Sequence, residues 1–187
     1  MGHYLDIKVL ANIEFSLKVL MNTLCGKLHR ILTQLSKGDI GISFPKYDKS
    51  ALHLGERLRI HGSQAALQNL MATDWISGMV DHVYISKILA VPNYTKYCIV
   101  RRIQTKSNAD RIRRRYMRRH NLSEEQVTQL IPNSIEKMLN LPYITYKSGS
   151  TNQIFRLFVN QEFVESNLRA NDFNAYGFSQ TSSLPFF

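Results

Sequence analysis

Apolar and polar residues alternate one by one through residues 3–10 (HYLDIKVL), the period of a strand with one buried face. Through residues 14–36 the period lengthens: Leu17, Leu20, Met21, Leu24, Leu28, Ile31, Leu32 and Leu35 recur at helical spacing along one side of a helix. Residues 40–44 read as a second strand ended by Pro45, and residues 57–61 as a third. Residues 65–71 have helical character, and 83–91 form a β-rich run stopped by Pro92.

The resulting order, β-α-β-β-α-β, is the ferredoxin-like pattern, which serves RNA-recognition modules and many unrelated proteins alike. Pro92-Asn93-Tyr94 reads as a junction, so residues 1–93 are expected to form one domain and 94–187 a second, C-terminal α+β half. In that half residues 97–106 are a basic strand candidate. Ser107 followed by Asp110, and Ser123 followed by Gln126, have the spacing of helix-start capping boxes, bracketing helices of about 108–120 and 124–130. Ile131-Pro132 ends the second. Strand-like runs follow at 143–146 and 154–159, and the tail from 171 is polar and aromatic with no clear period.

Composition narrows the class. The 187 residues carry 24 Lys and Arg against 14 Asp and Glu, a net charge of +10, and the pI is near 9.8. Such an excess points to a polyanion or an anionic membrane as partner and is silent on fold. Two isolated cysteines, Cys25 and Cys98, suggest neither a zinc spacing nor a disulfide framework and fit a reducing compartment. The N-terminus lacks a signal peptide's apolar run, no stretch has the apolar length of a membrane span, and Asp6 stands where a myristoylation motif wants Ser or Thr. A cytoplasmic chain without a membrane partner is the expectation.

The excess charge is concentrated in Arg111-Ile112-Arg113-Arg114-Arg115-Tyr116-Met117-Arg118-Arg119. At helical spacing Arg111, Arg114, Arg115, Arg118 and Arg119 fall within roughly 140° of one another, with Ile112 and Tyr116 beside them. Like charges so placed repel, which makes the run costly unless an anion neutralises it. Arginine rather than lysine favours bidentate phosphate contacts and planar stacking. A membrane-surface helix needs a broad apolar face opposite the charges, and this one offers mainly Ile112, Tyr116 and Met117. Nucleic acid fits the chemistry best.

Upstream, strand alternation puts Arg102 and Gln104 on one side, where the pair can read two adjacent purines or simply occupy a solvated strand face. His29 points about 130° from the centre of its helix's apolar face, so it is no core histidine, and an exposed imidazole can move protons near neutral pH. Ser148, Gly149 and Ser150 form a polar turn, and Tyr176 lies in the aromatic tail. The His, Cys, Asp and Glu spacings of zinc and two-metal sites are missing, as is a P-loop, so no metal or cofactor is expected. If the chain cuts, metal-free cleavage of RNA through its own 2′-hydroxyl is the natural chemistry.

Gly26-Lys27-Leu28-His29, Ile40-Gly41-Ile42-Ser43-Phe44-Pro45, Leu54-Gly55-Glu56-Arg57-Leu58-Arg59-Ile60-His61, Lys106-Ser107-Asn108, Arg113-Arg114-Arg115 with Met117-Arg118-Arg119-His120, and Phe155-Arg156-Leu157-Phe158 together resemble one family. It is the CRISPR-associated endoribonuclease of the type I-F system, which cuts the repeat hairpins of precursor CRISPR RNA, and the resemblance covers essentially the whole chain. It implies a ferredoxin-like N-terminal half and a C-terminal half whose arginine-rich helix lies in the major groove of the hairpin stem. That groove is normally too deep and narrow to read, but a short stem leaves it open near its end. The resemblance assigns phosphate contacts to Arg114, Arg115, Arg118 and Arg119, purine readout to Arg102 and Gln104, and stacking at the foot of the stem to Phe155.

The same resemblance makes His29, Ser148 and Tyr176 catalytic and puts Ser150 near the scissile nucleotide. Ser148 would hold the 2′-hydroxyl, His29 would take its proton, Tyr176 would orient His29, and the products would be a 5′-hydroxyl and a cyclic or 3′ phosphate. The product stem-loop would stay bound, bringing the other type I-F surveillance-complex proteins as partners. One departure is a glycine-rich loop common near the C-terminus of the wider superfamily, at which only Gly177-Phe178 hints. Two rival readings remain on the residues alone: an RNA-hairpin-binding module that does not cut, and a DNA-binding or architectural protein.

Overall fold

The computed structural model describes residues 1–35, 38–93, 96–104, 109–133, 139–147, 152–168 and 172–187. Ser148 and Ser150, the Lys106-Ser107-Asn108 motif and the first of the two expected capping boxes lie outside these.

The architecture is α+β. Among the described residues the strands form two sheets. The first is built from β1 (His3–Val9), β2 (Gly41–Ser43), β3 (Arg57–Gly62), β4 (Val83–Ile85) and β5 (Leu89–Ala90), with α1 (Leu17–Leu35) and α2 (Gln64–Met71) between strands in sequence. Its order is β2-β3-β1-β4 with antiparallel pairing throughout, the ferredoxin-like arrangement that the apolar periods predicted. The run expected as one strand at 83–91 is two: Ile7 pairs with Ile85 but Tyr4 with Leu89, so the register slips by one residue. Ser86 sits in the slip, its Oγ accepting the Asp6 N–H and its own N–H donating to the Asp6 carbonyl, which is how a bulge keeps its backbone satisfied.

Helix α1 begins at Leu17 rather than residue 14, because Asn12 Oδ1 accepts the N–H groups of Glu14 and Phe15 and holds them in a turn. It buries Leu20, Met21, Leu24, Cys25, Leu28 and Leu32. These join Leu5, Ile7, Leu58 and Ile60 from the sheet, and Leu67 and Leu70 from α2, in one core. Ser63 caps α2 by accepting the Ala66 N–H.

The second sheet has the order β7-β8-β6-β9, from β6 (Lys96–Ile103), β7 (Tyr143–Lys147), β8 (Ile154–Val164) and β9 (Leu184–Phe186). Strand β8 runs five residues past its expected end at 159, and β9 emerges from the tail that showed no period, pairing Leu184 with Cys98. The tail is also clamped at its end. Arg59, almost wholly buried, forms a two-point ion pair with Asp6, donates to the Phe187 carbonyl at 2.7 Å and lies over the rings of Tyr4 and Phe187.

Packing divides the chain into two compact units, residues 1–102 with 141–187, and residues 103–140. Both sheets lie in the first, apart from Ile103 at the end of β6. The second unit holds α3 (Ala109–His120) and α4 (Glu124–Leu130). The expected capping box of α4 is formed in full by Ser123 and Gln126.

Candidate functional site

A second stripe on α1 does what its apolar face cannot. Lys18, Asn22, Cys25 and His29, spaced four, three and four apart, run down one side of the helix and meet β7 and the C-terminal tail. Lys18 Nζ donates to the Tyr143 hydroxyl at 2.7 Å, and Asn22 Oδ1 accepts the Thr145 N–H at 3.2 Å. The Tyr146 hydroxyl reaches the Cys25 carbonyl at 3.4 Å, and His29 Nδ1 lies 2.9 Å from the Ala175 carbonyl oxygen. His29, expected to be exposed, is therefore half-buried. The helical period located its lipophilic side and could not announce a second neighbour.

Around His29 the aromatic rings interlock. Its imidazole stacks on Tyr176 with centroids 3.9 Å apart and planes within 9°, and meets Tyr146 edge-on at 5.8 Å. Tyr146 in turn stands edge-on to Tyr176 at 5.2 Å and stacks on Phe155 at 5.7 Å. The Arg102 guanidinium covers both ends of the cluster, 5.7 Å from the Tyr176 centroid and 5.9 Å from that of Phe155. Burial, helped by neighbouring Cys25 and Tyr176, pushes the Tyr146 phenol well above its usual range, so it keeps its proton and donates. Burial likewise pushes the Cys25 thiol up to about 12, which leaves it protonated and no nucleophile.

The Ala175 contact settles the tautomer of the neutral ring. A backbone carbonyl only accepts, so Nδ1 carries the hydrogen and Nε2 presents a lone pair.

Tyr176 is held by a tight turn. Asn174 Oδ1 accepts the Tyr176 N–H at 2.8 Å and the Phe178 N–H at 3.3 Å, while the Gly177 N–H donates to the Asn174 carbonyl. Gly177 has φ +75°, and a Cβ there would lie 2.9 Å from Ile42 Cγ2. Both conditions demand glycine. The Gly177 carbonyl accepts the Ile42 N–H at 2.9 Å, tying the turn to β2.

The remaining predicted residues fall in different places. Arg102 lies near the end of β6 and Phe155 near the start of β8; Gln104 stands just past β6, exposed. Arg114, Arg115, Arg118 and Arg119 are all exposed on α3. Arg113, which falls outside the stripe, is turned inward: its Nε donates to the Ile131 carbonyl at 2.9 Å, Nη2 to Asn133 Oδ1 at 2.7 Å and Nη1 to Asp110 at 3.2 Å. It staples α3 to the end of α4. Sequence reasoning missed Ala175, whose contribution is a backbone carbonyl with no side-chain signature, and Tyr146, which reads as an ordinary strand aromatic. Among the described residues no three His, Cys, Asp or Glu side chains gather as metal ligands, and no helix is long and apolar enough to cross a membrane.

Comparison with known proteins agrees with the resemblance drawn from the motifs. A family profile described as CRISPR-associated protein (Cas_Csy4) matches residues 4–187. The CRISPR-associated endonuclease Cas6/Csy4 of Pseudomonas aeruginosa (strain UCBPP-PA14) is 43% identical over 187 residues, covering all of both chains. The protein of the same name from Escherichia coli (strain UTI89 / UPEC) is 39% identical, again over the full length of both.

Proposed function

The chain belongs to the CRISPR-associated Cas_Csy4 family, and on that premise we propose that it is an endoribonuclease that cuts the repeat hairpin of precursor CRISPR RNA, as in type I-F systems. The observation that carries the mechanism is the fixed imidazole: His29 stacked on Tyr176, with Nδ1–H held by the Ala175 carbonyl and Nε2 left as a base. Nε2 takes the proton of the 2′-hydroxyl beside the cut, O2′ bonds to the adjacent phosphorus, and the bond from phosphorus to O5′ breaks. The departing oxygen takes up a proton. A 2′,3′-cyclic phosphate, open to hydrolysis to a 3′ phosphate, and a 5′-hydroxyl result. No step calls for a metal. Ser148 holds the 2′-hydroxyl and Ser150 lies by the scissile nucleotide in this reading.

Binding is divided along the chain, with residues 1–93 supplying His29 and residues 94–187 supplying the contacts to the stem. Arg114, Arg115, Arg118 and Arg119 grip phosphates, Arg102 and Gln104 read purine edges, and Phe155 stacks under the lowest base pair. Because most of these contacts go to the stem, which survives the cut, the product stays bound and carries the protein into a larger CRISPR ribonucleoprotein in the cytoplasm.

A repeat hairpin with one deoxynucleotide at the cut site, assayed in EDTA beside its all-ribose parent, tests the reading. The parent is expected to be cut and the deoxy hairpin to be bound as tightly but left whole. Cleavage of the deoxy hairpin, or an intact parent after long incubation, refutes it.

A further inference from the structure

The arginine stripe leaves one feature of α3 unused. Tyr116 and His120, one helical turn apart, bring their rings to 4.2 Å between centroids with planes tilted by 35°. The pair does not belong to the packed side of its unit, which buries Ala109, Val127 and Ile131 and ties down Arg113; Tyr116 remains 38% exposed and His120 is exposed. The rings border a surface hollow of about 320 Å³ lined by Arg111, Ile112, Arg115, Tyr116, Arg119 and His120. An aromatic face held open to solvent, braced by a second ring and rimmed by guanidinium groups, has the makings of a nucleobase platform: the rings offer a stacking surface and the arginines meet the phosphates of the same nucleotide. Tyrosine suits this because only two torsions need be fixed, and His120 already restrains the ring.

We propose that Tyr116, braced by His120, stacks an unpaired nucleobase of the hairpin RNA whose backbone the neighbouring arginines hold. This inference rests on the reading of α3 as an RNA-gripping helix and adds a second kind of contact to it. Phosphate contacts release counterions and are salt-dependent, whereas stacking is not. The two are therefore separable.

The full chain carrying Tyr116→Leu, which keeps an apolar side chain and a good helix former at the position, is expected to bind the repeat hairpin roughly tenfold to a hundredfold more weakly. The loss should be equal at low and high salt, and Tyr116→Phe should restore the affinity. An abasic substitution scanned through the unpaired positions should find one that lowers wild-type affinity to that of Tyr116→Leu and leaves the variant unchanged. Wild-type affinity in Tyr116→Leu, a loss that shrinks as salt rises as a phosphate contact's does, or no such abasic position overturns the stacking site. Arg118→Ala measured alongside distinguishes the two levels of failure. If Arg118→Ala weakens binding and Tyr116→Leu does not, only the platform is wrong. If neither does, the reading of α3 falls as well.

Discussion

Helices α1 and α3 both carry residues assigned to function, yet they are built in opposite ways. On α1 two stripes are occupied: one in the core, the other, ending at His29, bonded to β7 and the tail. On α3 the buried residue is Ala109, Arg113 is stapled to the end of α4, and most of the remaining charge faces solvent. The first arrangement fixes a ring, as the proposed proton transfer would require within hydrogen-bond reach. The second spends little on positioning and keeps cations available to a polyanion. Repulsion among the arginines is eased where it can be: Asp110 stands in the first turn, and Arg118, Arg119 and His120 stand in the last, where the helix dipole favours positive charge.

The largest effect is expected at the fixed ring. His29→Ala should lower single-turnover cleavage of a repeat hairpin by roughly 10²- to 10⁴-fold with hairpin affinity unchanged. Undiminished cleavage by this variant would remove His29 from the mechanism and with it the reason for α1's second stripe.

A smaller effect should follow from disturbing that ring at second hand. Gly177→Ala puts a side chain in the left-handed region and against Ile42, at a cost of about 1–2 kcal/mol in stability read by thermal melting. It should also shift Tyr176, so that cleavage at saturating enzyme slows while hairpin affinity holds. A lower melting temperature with an unchanged rate would mean that the turn supports the fold without positioning Tyr176.

The smallest and most discriminating measurements compare two arginines of α3. Arg118→Ala should reduce the salt slope of hairpin binding by about one and leave the melting curve alone. Arg113→Ala should do the reverse, loosening the α3–α4 pair, seen as lost helical circular dichroism on heating, with the slope preserved. Equal slopes lost by both variants would erase the division between the stapled arginine and the exposed ones.

How far these helices can be read from sequence differs for the same reason. The elements of α3 and α4 are local: charge spacing, a capping box at Ser123 and a proline stop, and all are visible in a short window. The packed side of α1 is visible too, in apolar residues at helical spacing of which Leu20, Met21, Leu24, Leu28 and Leu32 are buried and Leu17 is exposed. Its second stripe is not, because Lys18, Asn22 and Cys25 meet partners more than 120 residues away and His29 meets one 146 away. The split of the run at 83–91 and the strand at Leu184–Phe186 escaped for a related cause. A register slip and an edge pairing depend on the neighbouring strand, which no local period records.

By itself, then, the sequence determined which faces are apolar, where α4 starts and stops, that a concentrated positive charge seeks an anion, and, through its ordered motifs, the family. Tertiary structure decided that a histidine off the apolar face would be half-buried and stacked on Tyr176. It also decided that an alanine carbonyl would choose its tautomer, and that one arginine among six on α3 would be spent inside the protein. Periodicity and charge are properties of the chain alone and survive in any conformation. A tautomer, a stacked ring or a stapled guanidinium exists only once distant segments have been brought within hydrogen-bond reach.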